Sequence, residues 1–340
     1  MPCNTAAKAL REEVDQPNML DSLVEVRWQR RSSLAAGDPP RTENPRSWAS
    51  PRAGALSGVG LALLFGVCAC SGASPSEGPD ESSPEASAPA PRQLERIGVQ
   101  LYTLRVDAQR DLEGTLRRVA ELGYDEVEFA GLFGNDPARI RELLDELGLD
   151  AVANHVDWQI IRDDPQRGID ETLALGSEYM VFAWMPAGER SRLEQWQTWV
   201  ERLNAVAQSC RDQGLRFAYH NHDFEFPPID GVVPFDLLRQ GLDRELVDFE
   251  LDFYWLTLAG GEPTPLFEQD PGRYVLSHVK DMDPADQSMI DVGQGAIDFA
   301  AAFAQSEQSG MRHFFVEHDD TDDPWRTVEV SLDYLRGLRF

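Results

Sequence analysis

From Ile97 onward the chain alternates two hydrophobic patterns. Short runs rich in β-branched and aromatic residues cover Ile97–Leu104, Glu126–Ala130, Ala151–Asp157, Tyr179–Trp184, Phe217–Phe226, Val247–Trp255, Val275–Asp283 and His313–His318, and each predicts a strand. Between them the apolar spacing changes to three and four, as in Leu112, Leu116, Val119 and Ala120, or Ile140, Leu143, Leu144 and Leu147. That spacing predicts amphipathic helices. A longer stretch, Leu193 to Cys210, predicts a long helix in which Trp196 and Trp199 are packing residues. Several helical stretches close on Leu-Gly or Gln-Gly pairs, at Gly123, Gly148, Gly176 and Gly214, where glycine can adopt the left-handed cap before the chain re-enters a strand. A last helix near Trp325 to Leu338 closes the chain.

Eight strand–helix units within residues 94–340 fit a (β/α)₈ TIM barrel, which needs roughly 250 residues. A doubly wound open sheet is the runner-up. It would carry a glycine-rich phosphate turn after its first strand, and Gln100-Leu101-Tyr102-Thr103 stands there instead.

The segment ahead of the barrel has a different character. Between Arg52 and Glu77 no residue is charged, and Ala53 to Ala69 is apolar yet short of a full membrane span. Residues 1–70 therefore predict an N-terminal extension ending in a signal peptide. The run Val67-Cys68-Ala69-Cys70-Ser71 resembles a bacterial lipoprotein cleavage site, with Cys70 the expected lipidated residue. Residues 71–93, rich in Ser, Pro, Ala and Glu, cannot bury a core and predict a disordered linker. The expectation is an exported periplasmic or cell-surface lipoprotein that touches the membrane only through its lipid anchor. The alternative is a cytoplasmic protein with a mis-assigned N terminus.

Composition narrows the partners. The chain has 340 residues, 42% hydrophobic and 26% charged, enough to bury a sizeable core. A formal net charge of −28 would repel a nucleic-acid backbone, so a small neutral molecule or a metal ion is the better ligand. The cysteines are Cys3, Cys68, Cys70 and Cys210. Cys210 alone lies in residues 94–340, which excludes a disulfide within that domain.

Polar residues converge where barrel chemistry is assembled. His155, His220, His222, His278 and His318 fall at the carboxyl ends of predicted strands, and His313 opens one. The carboxyl-terminal rim is where barrel active sites form. Asp252 within Leu251-Asp252-Phe253, His278 and Lys280 within Ser277-His278-Val279-Lys280-Asp281, and Glu317 in Phe315-Val316-Glu317-His318 add charges that must be paired or coordinated if buried. Imidazoles with carboxylates and without rim cysteines suit one divalent ion of Mn, Zn, Co, Fe or Mg.

The runs IGVQLYTL (97–104), LGYDEVEFAG (122–131), AYHNHDFEF (218–226), LDFYW (251–255), SHVKDMD (277–283), VGQGAIDF (292–299) and VEHDD (316–320) resemble the sugar phosphate isomerase/epimerase group of the xylose-isomerase-like barrels. That resemblance implies a divalent metal held by Glu, Asp, His and Glu on strands five to eight. Asp252, His278 and Glu317 match the last three positions. The first is not matched, because strand five ends His220-Asn221-His222. His220 aligns best with the missing Glu. His222 then becomes a substrate contact, the reverse assignment stays open, and Glu225 is an outside candidate.

With one matching glutamate in place of two, the resemblance leaves one-base chemistry open, in which Glu317, a nearby histidine such as His222, or Lys280 removes a proton beside a metal-polarised carbonyl. Glu128, His155, His222 and Lys280 are candidate substrate contacts, with Trp158, Trp184 and Tyr254 a candidate stacking wall. Gly293 and Gly295 either let the backbone approach a ligand or form a turn before a helix capped by Asp298.

Two classes of function follow. The first is a metal-dependent enzyme on a small sugar or keto-sugar, an isomerase or epimerase, with a keto-glycoside lyase or hydratase as the alternative. The second is a non-catalytic carbohydrate-binding lipoprotein. The metal-dependent DNA-repair endonucleases of the same superfamily are excluded by the ligand count and by the charge.

Overall fold

The computed structural model describes residues 91–340. The expected signal peptide, Cys70 and the linker as far as residue 90 lie outside the described residues. The packed chain begins at Arg92, whose backbone N–H donates to Phe340 O at 2.6 Å while the Phe340 N–H donates back at 3.0 Å. The two ends of the domain are thereby joined.

Seven parallel strands follow in order: β1 (Gly98–Gln100), β2 (Glu126–Phe129), β3 (Asp150–Val156), β4 (Tyr179–Phe182), β5 (Arg216–His220), β6 (Val247–Asp252) and β7 (Tyr274–Val279). A two-stranded hairpin, β8 (Asp281–Met282) with β9 (Met289–Ile290), precedes the last barrel strand, β10 (His313–Val316). β10 pairs with both β7 and β1, which closes the barrel at eight strands. A helix or helix pair follows each barrel strand, ending with Pro324–Gly337. The expected (β/α)₈ TIM barrel is the observed fold.

Strand alternation sorts side chains into two layers. Val99, Val127, Phe129, Met180, Phe217 and Leu251 point outward into the main core under the helices. Inside the barrel a smaller cluster, including Tyr179, Val181, Ala218, Leu276 and Phe315, fills the lower half. Gly98 makes this floor possible, since a Cβ there would stand 2.3 Å from the Phe315 ring. Above Phe315 the inward positions turn polar. The helix-closing glycines behave as the sequence predicts, with Gly123 at φ +94 and Gly148 at φ +69.

Most strands are shorter than their hydrophobic runs, and three show the cause. The predicted strand Val247–Trp255 ends at Asp252, because the Asp252 carboxylate accepts the Trp255 N–H at 2.8 Å and caps the helix Phe253–Leu258. Phe217–Phe226 ends at His220, and the Glu225 carboxylate accepts the His222 N–H at 2.9 Å instead of a ladder partner. Val275–Asp283 divides at Lys280, beyond which Asp281 enters the hairpin. In each case a side chain or a new strand partner captures the backbone, which a hydrophobic pattern does not record.

Candidate metal centre

The polar layer at the carboxyl end contains two donor sets that share one histidine. The outer set is His220, Asp252 and His278; the inner is Glu128, His155, Glu250 and His278, with ligand atoms within 4.8 Å of one another in each. Alternation explains the membership. Glu250 and Asp252 are two residues apart on β6, His278 and Lys280 two apart at the end of β7, and all point inward. Every member of both sets is buried.

In the outer set His278 Nδ1 lies 3.6 Å from Asp252 Oδ2, and His220 Nε2 lies 3.9 Å from the same oxygen. Glu317 Oε2 reaches His278 Nδ1 at 2.7 Å, but Lys280 Nζ stands closer still, at 2.6 Å. Lys280 also lies 3.0 Å from Asp252 and 2.9 Å from Asp319. The expected quartet is thus brought together, with Glu317 paired to Lys280 at its edge. Lys280 partners Asp252 Oδ2 and Glu317 Oε2, while His220 Nδ1 is buried without a hydrogen bond. Converging imidazole nitrogens and carboxylate oxygens are the donor types a divalent cation takes, so the residues present fit one.

The inner set is joined by short contacts. His155 Nε2 lies 2.9 Å from Glu250 and 3.1 Å from Glu128, and His278 Nε2 lies 2.6 Å from Glu128 and 3.4 Å from Glu250. Burial would raise the Glu128 carboxyl, but His155 and His278 beside it hold it down at about 2. Glu250 is pushed up to about 7 by burial and by the Glu128 charge. His155 is raised to about 9, since Glu128 and Glu250 outweigh its burial. Burial likewise opposes charge on Lys280, yet Asp252, Asp319 and Glu317 hold the ammonium well above its usual value. Glu317 is held well below the carboxylate range, Lys280 and then His278 overcoming burial.

The histidines of β5 behave differently. Burial, and then the neighbouring His278, drive His220 well below its usual value; burial and Lys280 do the same to His222. Both imidazoles are therefore neutral. His222 stands edge-on to His220 with ring centroids 4.8 Å apart, stacks on Phe224 at 5.2 Å and faces Trp255 at 5.5 Å. It occupies the mouth of the site.

Other expected residues lie apart. Glu128 and His155 bind each other and the inner set beneath the rim, with exposures of 0% and 5%, so neither presents a free edge to a sugar. Tyr254 donates its hydroxyl to Gln287 O at 2.9 Å and so clasps the hairpin. Trp184 is buried just past β4, and Trp158 packs under the Arg162 guanidinium at 4.5 Å. Trp255, whose ring lies 5.7 Å from Lys280 Nζ, is the aromatic residue at the mouth. Glu225 turns outward to accept the Tyr219 hydroxyl at 2.8 Å. His318 Nδ1 accepts the Asp320 N–H at 3.2 Å, and His313 pairs with Glu126 at the opposite end of β10. Gly293 and Gly295 form a turn, both N–H groups donating to Asp281 Oδ2 at 2.9 Å, and Asp298 caps the next helix by accepting from Ala301.

Sequence reasoning missed Glu250, Asp319 and Trp255. The signal for Glu250 was available: in Val247-Asp248-Phe249-Glu250-Leu251-Asp252 it shares the face of Asp252.

Comparison with known proteins agrees with the barrel fold. The xylose isomerase-like TIM barrel family matches residues 116–338. An inosose dehydratase from Geobacillus kaustophilus (strain HTA426) is 22% identical over 269 residues, covering 66% of this chain and 86% of that protein. Among solved structures, a sugar phosphate isomerase/epimerase from Parabacteroides distasonis ATCC 8503 superposes with a TM-score of 0.61 at 23% identity, covering 74% of this chain and 95% of the other. The IOLI protein, solved with a bound zinc atom, superposes at 0.58 with 16% identity, covering 72% and 99%. With the family pattern spanning most of the barrel, this chain belongs to the xylose isomerase-like TIM barrel family.

Proposed function

We propose that the protein is a divalent-metal-dependent enzyme acting on a keto-sugar or a related cyclic polyol ketone, with Glu317 as the base. The observation that carries this reading is the Lys280–Glu317 pair at 2.6 Å, beside the His220, Asp252 and His278 donors. A carboxylate held ionised at the edge of a metal set is placed to take a proton from a carbon next to a carbonyl. A cation on the three donors would supply the positive charge that polarises that carbonyl.

One base serves two outcomes. Glu317 takes the proton and the C–H electron pair moves into the enol. If the Glu317 carboxylic acid returns the proton to the former carbonyl carbon while the enediol hydroxyl proton passes to the other oxygen, the carbonyl forms at the deprotonated carbon and the product is an isomer. If it gives the proton to a neighbouring hydroxyl, the C–O bond breaks and water leaves. Loss of water is favoured by the place opposite Glu317, where neutral His220 and His222 stand instead of a second carboxylate, and by the relative named inosose dehydratase. Two-base epimerisation needs a second proton carrier there. Lys280 keeps Glu317 charged, while His222 and Trp255 line the entrance and exclude water.

The test is proton exchange. Metal-loaded protein is incubated in D₂O with inosose and a panel of keto-sugars, and solvent deuterium at the carbon beside the carbonyl, or a dehydrated product, is followed by NMR. Chelation should abolish the reaction and added metal restore it. Ligand binding that is unchanged by chelation, with no exchange on any substrate, would favour the carbohydrate-binding alternative.

A further inference from the structure

We infer that the inner set is a second divalent-metal site, held by Glu128, His155 and Glu250 with Nε2 of His278 as its fourth donor. It goes beyond the single metal of the proposed reaction. The four donors come from β2, β3, β6 and β7, and their ligand atoms lie within 4.8 Å of one another. Two carboxylates and two imidazoles form a donor set that suits a transition-metal ion.

Three independent observations point to a cation. The first is orphaned oxygen: Glu250 Oε1 is buried without a hydrogen-bond partner, and Glu128 Oε1 has only His155 Nε2 at 3.1 Å, a nitrogen it shares with Glu250. The second is charge. Glu128, Glu250, Asp252 and Glu317 are buried together with the partly exposed Asp319 at their edge, and among the described residues Lys280 is the only Lys or Arg side chain within ion-pair distance of any of them. Counting the imidazoles of His155 and His278 with Lys280, five carboxylates still face three basic groups, and burying unpaired charge is strongly unfavourable. The third is the placement of His278, whose Nδ1 faces Asp252 and Glu317 while its Nε2 faces Glu128 and Glu250. One ring thus offers a nitrogen to each set, releasing the protons on both nitrogens to solvent when both are coordinated. Two register shifts, at Val127/Glu128 and Phe249/Glu250, adjoin this set, and bulges of this kind re-aim side chains at functional sites.

The experiment is metal stoichiometry. The full chain, stripped and then saturated with Mn²⁺ or Zn²⁺ and desalted, is analysed by mass spectrometry of the elements. Wild type should hold two equivalents. Glu250→Gln and Glu128→Gln should each hold one, and Asp252→Ala should also hold one, having lost the outer ion. Circular dichroism identifies any variant that does not fold, and the inner site is then read from anomalous scattering of Mn²⁺-loaded wild-type crystals. A peak between His155 and Glu250 supports the inference. Saturation of wild type at one equivalent, a Glu250→Gln protein that binds as much metal as wild type, or a single peak on the Asp252 side would overturn it and leave the outer site intact. Failure of the outer site is separate, and would show as Asp252→Ala losing nothing.

Discussion

The ammonium of Lys280 lies 2.6 Å from Oε2 of Glu317, both side chains at most 5% exposed. The pair couples a charge that needs neutralising to a base that must stay ionised, and so links stability to activity. Glu317→Gln should retain the metal held by Asp252 and His278 while losing turnover by roughly a hundredfold or more. Lys280→Met should instead destabilise the fold by about 3–5 kcal/mol, because Asp252, Glu317 and Asp319 lose their common partner. Metal analysis, turnover and thermal unfolding read the two variants. A Glu317→Gln enzyme with near-normal turnover would remove Glu317 from the mechanism.

The two histidines that end β5 should separate cleanly. His220 sits in the donor set and His222 at the mouth against Phe224 and Trp255. His220→Ala should weaken metal binding, whereas His222→Ala should raise KM several-fold at nearly constant kcat. Loss of metal in His222→Ala with none in His220→Ala would exchange their roles.

Glu225 offers a pH signature away from the metal sets. Burial pushes its carboxyl up to about 8, although the Tyr219 hydroxyl and the His222 N–H favour the charged form. A folded pKa above the unfolded value of about 4.3 means stability is greatest below that value and falls as pH rises toward 8. Wild type should therefore lose on the order of a few kcal/mol between pH 5 and pH 8 that Glu225→Gln does not lose. Parallel unfolding curves for the two proteins across that range would show that Glu225 does not titrate there.

The barrel should stand without residues 1–90. Arg92 pairs its backbone with Phe340 and donates its guanidinium to Ala304 O at 2.7 Å, so a chain starting at residue 91 keeps this clasp. Its melting temperature should match that of the mature protein, and one starting at residue 94 should melt lower. In a bacterial host, the full chain should be lipidated at Cys70, as judged by membrane fractionation and the mass of its N-terminal peptide. A soluble product with unmodified Cys70 would refute lipidation.

The barrel was legible because strand and helix periods differ, and because Gly123, Gly148 and Gly176 end helices where the period changes. His220, Asp252, His278 and Glu317 were legible as polar residues ending four neighbouring strands. Depth was not. Alternation gives the face a residue points to, but not its layer, so Glu128 and His155 read as rim contacts although they lie beneath the rim, and Glu250, between Phe249 and Leu251, passed unnoticed. The approach of Lys280 to Glu317 depends on the stagger between β7 and β10, which no local pattern contains. Strand ends were overrun where Asp252 and Glu225 capture backbone amides.

The proposed chemistry needs a divalent cation on the buried donor set, and metal content tests this most directly. Protein purified without chelator, or stripped and reloaded with Mn, Zn, Co, Fe or Mg, should carry at least one tightly held equivalent, and Asp252→Ala should lose one. Less than a tenth of an equivalent of every such metal, with no uptake on reloading, would contradict it.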